Sequence, residues 1–303
     1  MDLSIVVGDY RYTTDIRQNG AEGSGVALRP AIVDPVYKAF HPMIVSQPYD
    51  LCEMALVAYL QAHEAGRPLM LLPLVMMGGA HYGSLWTRRG GEVSSPSDLT
   101  GGRVGVRSYS QTTGMWVRAI LWHEFGVNCD DVTWVTEEGS HEPRFNDPDN
   151  VVRAQEGKTL VEMVEKGAVD AVILSAEAGE AAGLRPVVPD AAERGLAWWR
   201  THGTAPINHM LVVRADLIQA QEVIVAGAFH LIKSAVVGSV PNRANGPTPD
   251  RGAPSSAGTS DLSTIETIIA EAIGFSLEQH LIARQVRPEE LFAHCSDGSV
   301  LGG

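Results

Sequence analysis

Ser97-Asp98-Leu99-Thr100-Gly101-Gly102-Arg103-Val104-Gly105-Val106-Arg107 reads as a turn that runs into a strand, and the polar run Ser108 to Thr113 follows it. Met115, Ala119 and Trp122 then share one helical face, and Gly126 stops the helix. This order puts Gln111, Thr112 and Thr113 at a helix N-terminus, where unpaired backbone N–H groups hold an anion. The alternative is that Thr112 only caps the helix. The same alternation recurs on both sides. Residues 3–7 predict a buried strand ending at Gly8-Asp9. Tyr49 to Met54 predicts a short strand, Ala55 to Ala65 a helix stopped by Gly66, and Leu69 to Val75 a further buried strand. Lys158 to Lys166 predicts a helix capped by Gly167, with strands at Val169 to Leu174 and Met210 to Val213. Strands alternating with helices predict an α/β protein with mostly parallel sheets. Val240 to Asp261 is rich in Pro, Gly, Ser and Ala and predicts a mobile surface loop. After it, Ser263-Thr264-Ile265-Glu266 predicts a capping box that opens an apolar-striped helix. Arg287 to Phe292 predicts a last short helix, with Pro288 in its first turn.

The chain has 303 residues, enough for two domains or one large one. Hydrophobic residues make up 45% and charged residues 19%, a globular composition. A net charge of −13 argues against a nucleic-acid partner, which needs a dense cationic surface. It leaves an anionic small molecule open, because a pocket can be locally basic inside an acidic protein. Cys52, Cys129 and Cys295 are too few and too widely spaced for a disulfide framework or a zinc pattern. Met1 to Asp9 lacks the cationic start of a signal peptide, and the apolar run Leu69 to Met77 is too short to span a bilayer. The expectation is a cytoplasmic chain with no membrane partner. No GxSxG, Walker A or strand-borne GxGxxG motif is present, so serine-hydrolase and nucleotide-binding readings have no motif support.

The order of these segments resembles the type II periplasmic-binding-protein fold, in which two α/β lobes close over a small ligand. The expected division is 1–106 with 205–303 as one discontinuous lobe and 107–204 as the other, with the 240–261 loop inside the first. Within that fold the chain resembles the 4,5-dihydroxyphthalate decarboxylase family. The resemblance rests on Gly8-Asp9-Tyr10 with Arg11 and Thr13, Cys52-Glu53-Met54-Ala55 with Tyr59-Leu60, and Arg103-Val104-Gly105-Val106 with Tyr109 and Gln111-Thr112. It continues through Met115 to Leu121, Gly157-Lys158-Thr159-Leu160 with Met163, Gly167 and Asp170-Ala171, and Pro206-Ile207-Asn208-His209. It spans residues 3 to about 235. The family tends to carry Arg and Phe just before a histidine that falls at His81; here only the histidine is kept, in Met76-Met77-Gly78-Gly79-Ala80-His81.

The resemblance implies removal of CO2 from a hydroxylated aromatic dicarboxylate. Such a reaction needs a proton donor for the ring carbon, or a cation or metal for the developing charge, and groups that orient carboxylates. Asp9 and Arg11 follow the first strand, where cleft residues belong in an open α/β sheet. Arg11 could hold a carboxylate as a fork, and Asp9 could take a phenol proton. A loop ion pair is the alternative. Glu53 ends its strand among apolar neighbours and either donates a proton or caps the next helix. His81 and His209, from distant segments, supply proton transfer at neutral pH. With Asp9 or Glu53 they could instead bind a divalent metal, although no HxH or HExxH spacing occurs. Arg107, Ser108, Tyr109, Gln111, Thr112, Thr113 and Asn208 are the anion-binding candidates. Trp116 reads as core, and His141 as a surface or core histidine that could border the cleft. No organic cofactor is implied. The runner-up is a non-catalytic binding protein for an aromatic or related anion, and the C-terminal helices could supply a dimer contact.

Overall fold

The computed structural model describes residues 1–239, 255–296 and 298–301. Its short apolar runs form strands that divide between two sheets. The chain opens with β1 (Asp2–Val6), β2 (Ala21–Gly23), β3 (Val26–Pro30), β4 (Leu51–Ala55) and β5 (Leu69–Gly78). It then crosses into a second sheet made of β6 (Leu85–Thr87), β7 (Arg103–Val106), β8 (Thr133–Thr136), β9 (Val151–Arg153), β10 (Ala171–Ile173) and β11 (Arg185–Pro186). It returns through β12 (Ile207–Arg214). The orders are β2-β3-β1-β4-β12-β5 and β11-β6-β10-β7-β8-β9. The architecture is α/β and two-lobed, as expected.

Two expectations need correction. The first crossing falls between Gly78 and Leu85 rather than at 106, because β6 and β7 both pair inside the second sheet. A strand's own residues carry its burial but not its partner, so β7 gives no sign of which sheet it joins. The sheets are also mixed rather than mostly parallel. β12 runs antiparallel to both β4 and β5, β2 to β3, and β6 to both β10 and β11. The returning strand closes the first sheet between two strands laid down before the second lobe.

The helices are α1 (Thr14–Asn19), α2 (Phe40–Ser46), α3 (Leu56–Glu64), α4 (Thr112–Phe125), α5 (Leu160–Glu165), α6 (Ala176–Ala181), α7 (Ala191–His202), α8 (Ala215–Ser239) and α9 (Leu262–Glu278). α4 ends at Gly126 in the left-handed conformation, as its sequence predicts. α8 was not foreseen. It buries Val225, Ala228, Phe229, Ile232 and Val236, the i, i+3, i+4, i+7 stripe of a helix laid on a sheet, and it kinks at Gln221. By length and composition α8 could cross a membrane, but its buried face packs with Leu3, Ile5 and Leu72 of the first sheet. The opposite face of that sheet packs with α3, α4 and α9 through Leu56, Met115, Trp116 and Ile269. β4 is therefore covered on both faces, and all five of its residues are buried.

Part of the expected 240–261 loop is a built element. Residues 240–254 lie outside the described residues, but 255–261 dock on β5. Gly258 N–H donates to Val75 O at 2.8 Å, and Val75 N–H donates to Thr259 O at 2.9 Å. The Ser256 hydroxyl donates to Pro206 O at 3.1 Å and is fully buried. Polar composition marks a loop but cannot tell a free one from one that pairs with a strand edge. Asp261, not Ser263, caps α9, by accepting from Thr264 N–H at 2.8 Å.

Gly78 lies at this junction. A Cβ there would stand 1.9 Å from Ser256 Oγ and 2.3 Å from Pro206 O, the latter a backbone atom that cannot swing away. Gly78→Ala is expected to cost about 2 kcal/mol or more. The check is the urea midpoint, and an unchanged midpoint would show that the junction tolerates the methyl group.

Candidate active site

Glu53 sits in the centre of β4 with no exposed surface. A carboxylate there is costly unless donors replace its water. Three do so. Gly8 N–H donates to Oε2 at 2.8 Å, Tyr10 O–H donates to Oε1 at 2.6 Å, and His209 Nδ1–H donates to Oε1 at 2.6 Å. Gly8 and Tyr10 come from the chain leaving β1, the neighbour of β4, and His209 comes from β12, its other neighbour. Tyr10 reaches the carboxylate by folding back over Gly8: a Cβ on Gly8 would lie 2.5 to 2.6 Å from the phenol ring and its oxygen. Burial first, and then the charge of Glu53, raise the Tyr10 pKa well above the ordinary phenol value, so Tyr10 stays protonated and donating.

The bond from Nδ1 fixes the tautomer and tilt of His209, and Phe40 braces the ring edge-on at 5.3 Å. Nε2 is the nitrogen left for a cavity of about 270 Å³ that His209 lines. Asn208 lines it too, with Gln111, Thr112 and Thr113 at the start of α4. Gln111 holds the N-cap position, but its side chain makes no capping bond, so the first N–H groups of this 14-residue helix keep their partial positive charge. Arg107, at the end of β7, pairs with Glu138 and lies over the Tyr37 ring at 4.2 Å. Phe40, Tyr37 and His141 complete an aromatic wall. Burial, then Arg107, hold the His141 pKa down to about 4, so its ring is neutral at pH 7.

The structure brings His209, Arg107, Gln111, Thr112, Thr113 and Asn208 to one cavity, with Glu53 behind His209. Thr112 also has a structural task, since its hydroxyl accepts from Val57 N–H at 3.1 Å. Four expectations are corrected. Asp9 is 73% exposed and pairs only loosely with Arg17, at 3.8 Å. Arg11 is exposed and does not line the cavity. The sharp turn after Gly8 sends Tyr10 inward, and Asp9 and Arg11 are left outside. Tyr109 is core: its hydroxyl donates to Gln279 O at 3.0 Å, and its ring lies under the Arg118 guanidinium, 4.0 Å away. His81 is buried but does not line the cavity. Burial, and then the His209 charge, hold its pKa down to about 4. Trp116 is core, as read, and donates from Nε1 to Ile207 O at 2.9 Å. Among the described residues no group of three or more His, Cys, Asp and Glu side chains could hold a metal. Tyr37, Phe40 and Glu138 carried no recognisable signal; His141 lay in the polar stretch that could border the cleft.

No family model matches the chain. It is 28% identical over 246 residues to a 4,5-dihydroxyphthalate decarboxylase of Comamonas testosteroni, covering 72% of this chain and 70% of that one. It is 30% identical over 184 residues to a 4,5-dihydroxyphthalate decarboxylase of Pseudomonas putida, covering 57% of this chain and 70% of that one. The chain belongs to the 4,5-dihydroxyphthalate decarboxylase family. Solved structures show the fold of this family member. The periplasmic aliphatic sulphonate binding protein of Escherichia coli superimposes with a TM-score of 0.59 at 11% identity, covering 96% of this chain and 97% of that one. A Candida albicans protein with the generic periplasmic binding protein fold gives 0.59 at 11% identity, covering 99% and 97%.

Two outcomes follow for this family member. Gly8→Ala should push Tyr10 off Glu53 and lower the thermal midpoint, and a crystal structure of the variant with Tyr10 unmoved would contradict that. His81 and His141 are held neutral to about 4, whereas in the unfolded chain they titrate near 6.5. Between these values the unfolded chain binds more protons, so stability is complete above pH 6.5 and falls as pH drops toward 4. The loss is on the order of a few kcal/mol. Denaturant midpoints across that range should flatten in His81→Leu.

Proposed function

We propose that this protein is a decarboxylase of a hydroxylated aromatic dicarboxylate such as 4,5-dihydroxyphthalate. The observation that carries the reading is the buried Glu53–His209 pair at the wall of a cavity that also offers Arg107 and an uncapped helix start. Family membership supports it, because both relatives bear that activity in their names.

In this reading Arg107 and the N-terminus of α4 hold carboxylate groups of the substrate. His209, oriented by the Glu53 carboxylate, gives its Nε2 proton to the ring carbon that bears the departing group. A ring hydroxyl para to that carbon supplies electron density. The carbon–carboxylate bond then breaks, its electron pair returns to the ring, and CO2 leaves. One proton has replaced one carboxylate, and solvent reprotonates His209. The aromatic wall of Phe40 and Tyr37 excludes water from the reacting carbon. The chemistry uses side chains of this chain and calls for no organic cofactor.

The test is CO2 release and product mass from purified protein with 4,5-dihydroxyphthalate, run metal-free and metal-supplemented. His209→Gln should lower kcat about 10²- to 10⁴-fold and leave the substrate Kd within a few-fold. Tight binding without turnover in the wild type would replace this reading with that of a binding protein. Full turnover by His209→Gln would remove His209 as the proton donor.

A further inference from the structure

Eleven side-chain nitrogen or oxygen atoms among the described residues are buried without a hydrogen-bond partner, and three of them belong to residues that line the candidate active-site cavity. They are Gln111 Oε1, Asn208 Oδ1 and His141 Nε2. A buried polar atom left unpaired costs about 1–3 kcal/mol. Three around one cavity form a pattern of unmet demand, and the chemistry of that demand defines what belongs there.

The two amides ask for the same thing. Asn208 Nδ2–H already donates to Thr113 Oγ1 at 3.1 Å, so what it lacks is a donor for its carbonyl oxygen. Gln111 likewise lacks a donor for its carbonyl oxygen. A carboxylate cannot meet that need, since it only accepts, and an amide oxygen repels it. A phenolic hydroxyl can. It donates to the amide oxygen and leaves the first N–H groups of α4 to a carboxylate. His141 is neutral and can act either way.

We infer that Gln111 and Asn208 are the specificity residues for the ring hydroxyls, with side-chain carbonyls that accept hydrogen bonds from an ortho-dihydroxy aromatic acid and discriminate against the ring that lacks them. The inference rests on the decarboxylase reading for its substrate class, and it deepens that reading. It also ties recognition to chemistry. A hydroxyl that donates to a buried amide oxygen becomes more electron-rich, and so does the ring carbon para to it. Protonation of that carbon is the hard step. A site built to pair a hydroxyl rejects the analogue lacking it far more strongly than a purely apolar pocket would.

The experiment pairs side-chain removal with ligand-group removal. Calorimetry gives Kd for 3,4-dihydroxybenzoate, which keeps both hydroxyls and one carboxylate, and for phthalate, which keeps both carboxylates and no hydroxyl. Neither needs turnover. The variants are Gln111→Met, which keeps length and removes the acceptor, and Gln111→Glu, which keeps an acceptor; Asn208→Leu and Asn208→Asp repeat the pair. Gln111→Met and Asn208→Leu should each weaken 3,4-dihydroxybenzoate about 10- to 100-fold and change phthalate less than about 3-fold. The acidic variants should retain the hydroxylated ligand better than the apolar ones. A loss that falls on phthalate instead would show the amides serving carboxylates through N–H, and would overturn the inference. Equal losses on both ligands, or none, would overturn it too. If the expected pattern appears while the wild type releases no CO2, the hydroxyl assignment stands and the decarboxylase reading fails. If the wild type binds neither ligand, both fall.

Discussion

A single buried carboxylate organises this molecule. Glu53 lies in the strand that is covered on both faces, where an unpaired charge would be severely destabilising. Its donors come from both neighbouring strands, so the charge is satisfied only when β1, β4 and β12 are in register. A one-residue slip of β12 would turn His209 to the other face of the sheet and leave the carboxylate with two donors. The bond that orients the proposed proton donor is thus the same one that fixes the sheet, and the site is as rigid as the core.

Electrostatics divides the cavity between its two walls. The β4–β12 wall presents His209, backed by the buried Glu53 carboxylate, and the opposite wall carries Arg107 and the positive end of α4. In an acidic protein with a net charge of −13, an anion enters only where such local positive charge is built. Arg107 is held between the Tyr37 ring and Glu138, which limits its motion and spares a ligand the entropy of ordering it.

How much could be read beforehand follows from what each signal encodes. Strands and helices with sharp stops, such as α4 ending at Gly126, are local and were legible. So was the helix start at Gln111 to Thr113, since it needs only a strand end, polar residues and a helix in succession. Family likeness carried Glu53 and His209. The unread part is what depends on direction and partner. Asp9, Tyr10 and Arg11 are adjacent, yet a turn made possible by Gly8 sends only Tyr10 inward. Tyr109 and Thr112 are close neighbours with opposite fates, core and cavity. Tyr37, Phe40 and His141 reach the site through packing across the two lobes, which no local pattern records.

The late return of β12 also dictates an order of assembly during synthesis. Residues 85–186 form the strands of the second sheet from one continuous stretch, so that sheet can complete while the chain is still emerging. The first sheet, begun at residue 2, waits for residue 214 before its central gap between β4 and β5 is filled. Throughout that interval Glu53 lacks its imidazole partner. The part of the protein translated first is therefore finished last, and the nascent chain gains its Glu53–His209 pair only when β12 joins the first sheet, after the strands of the second have been made.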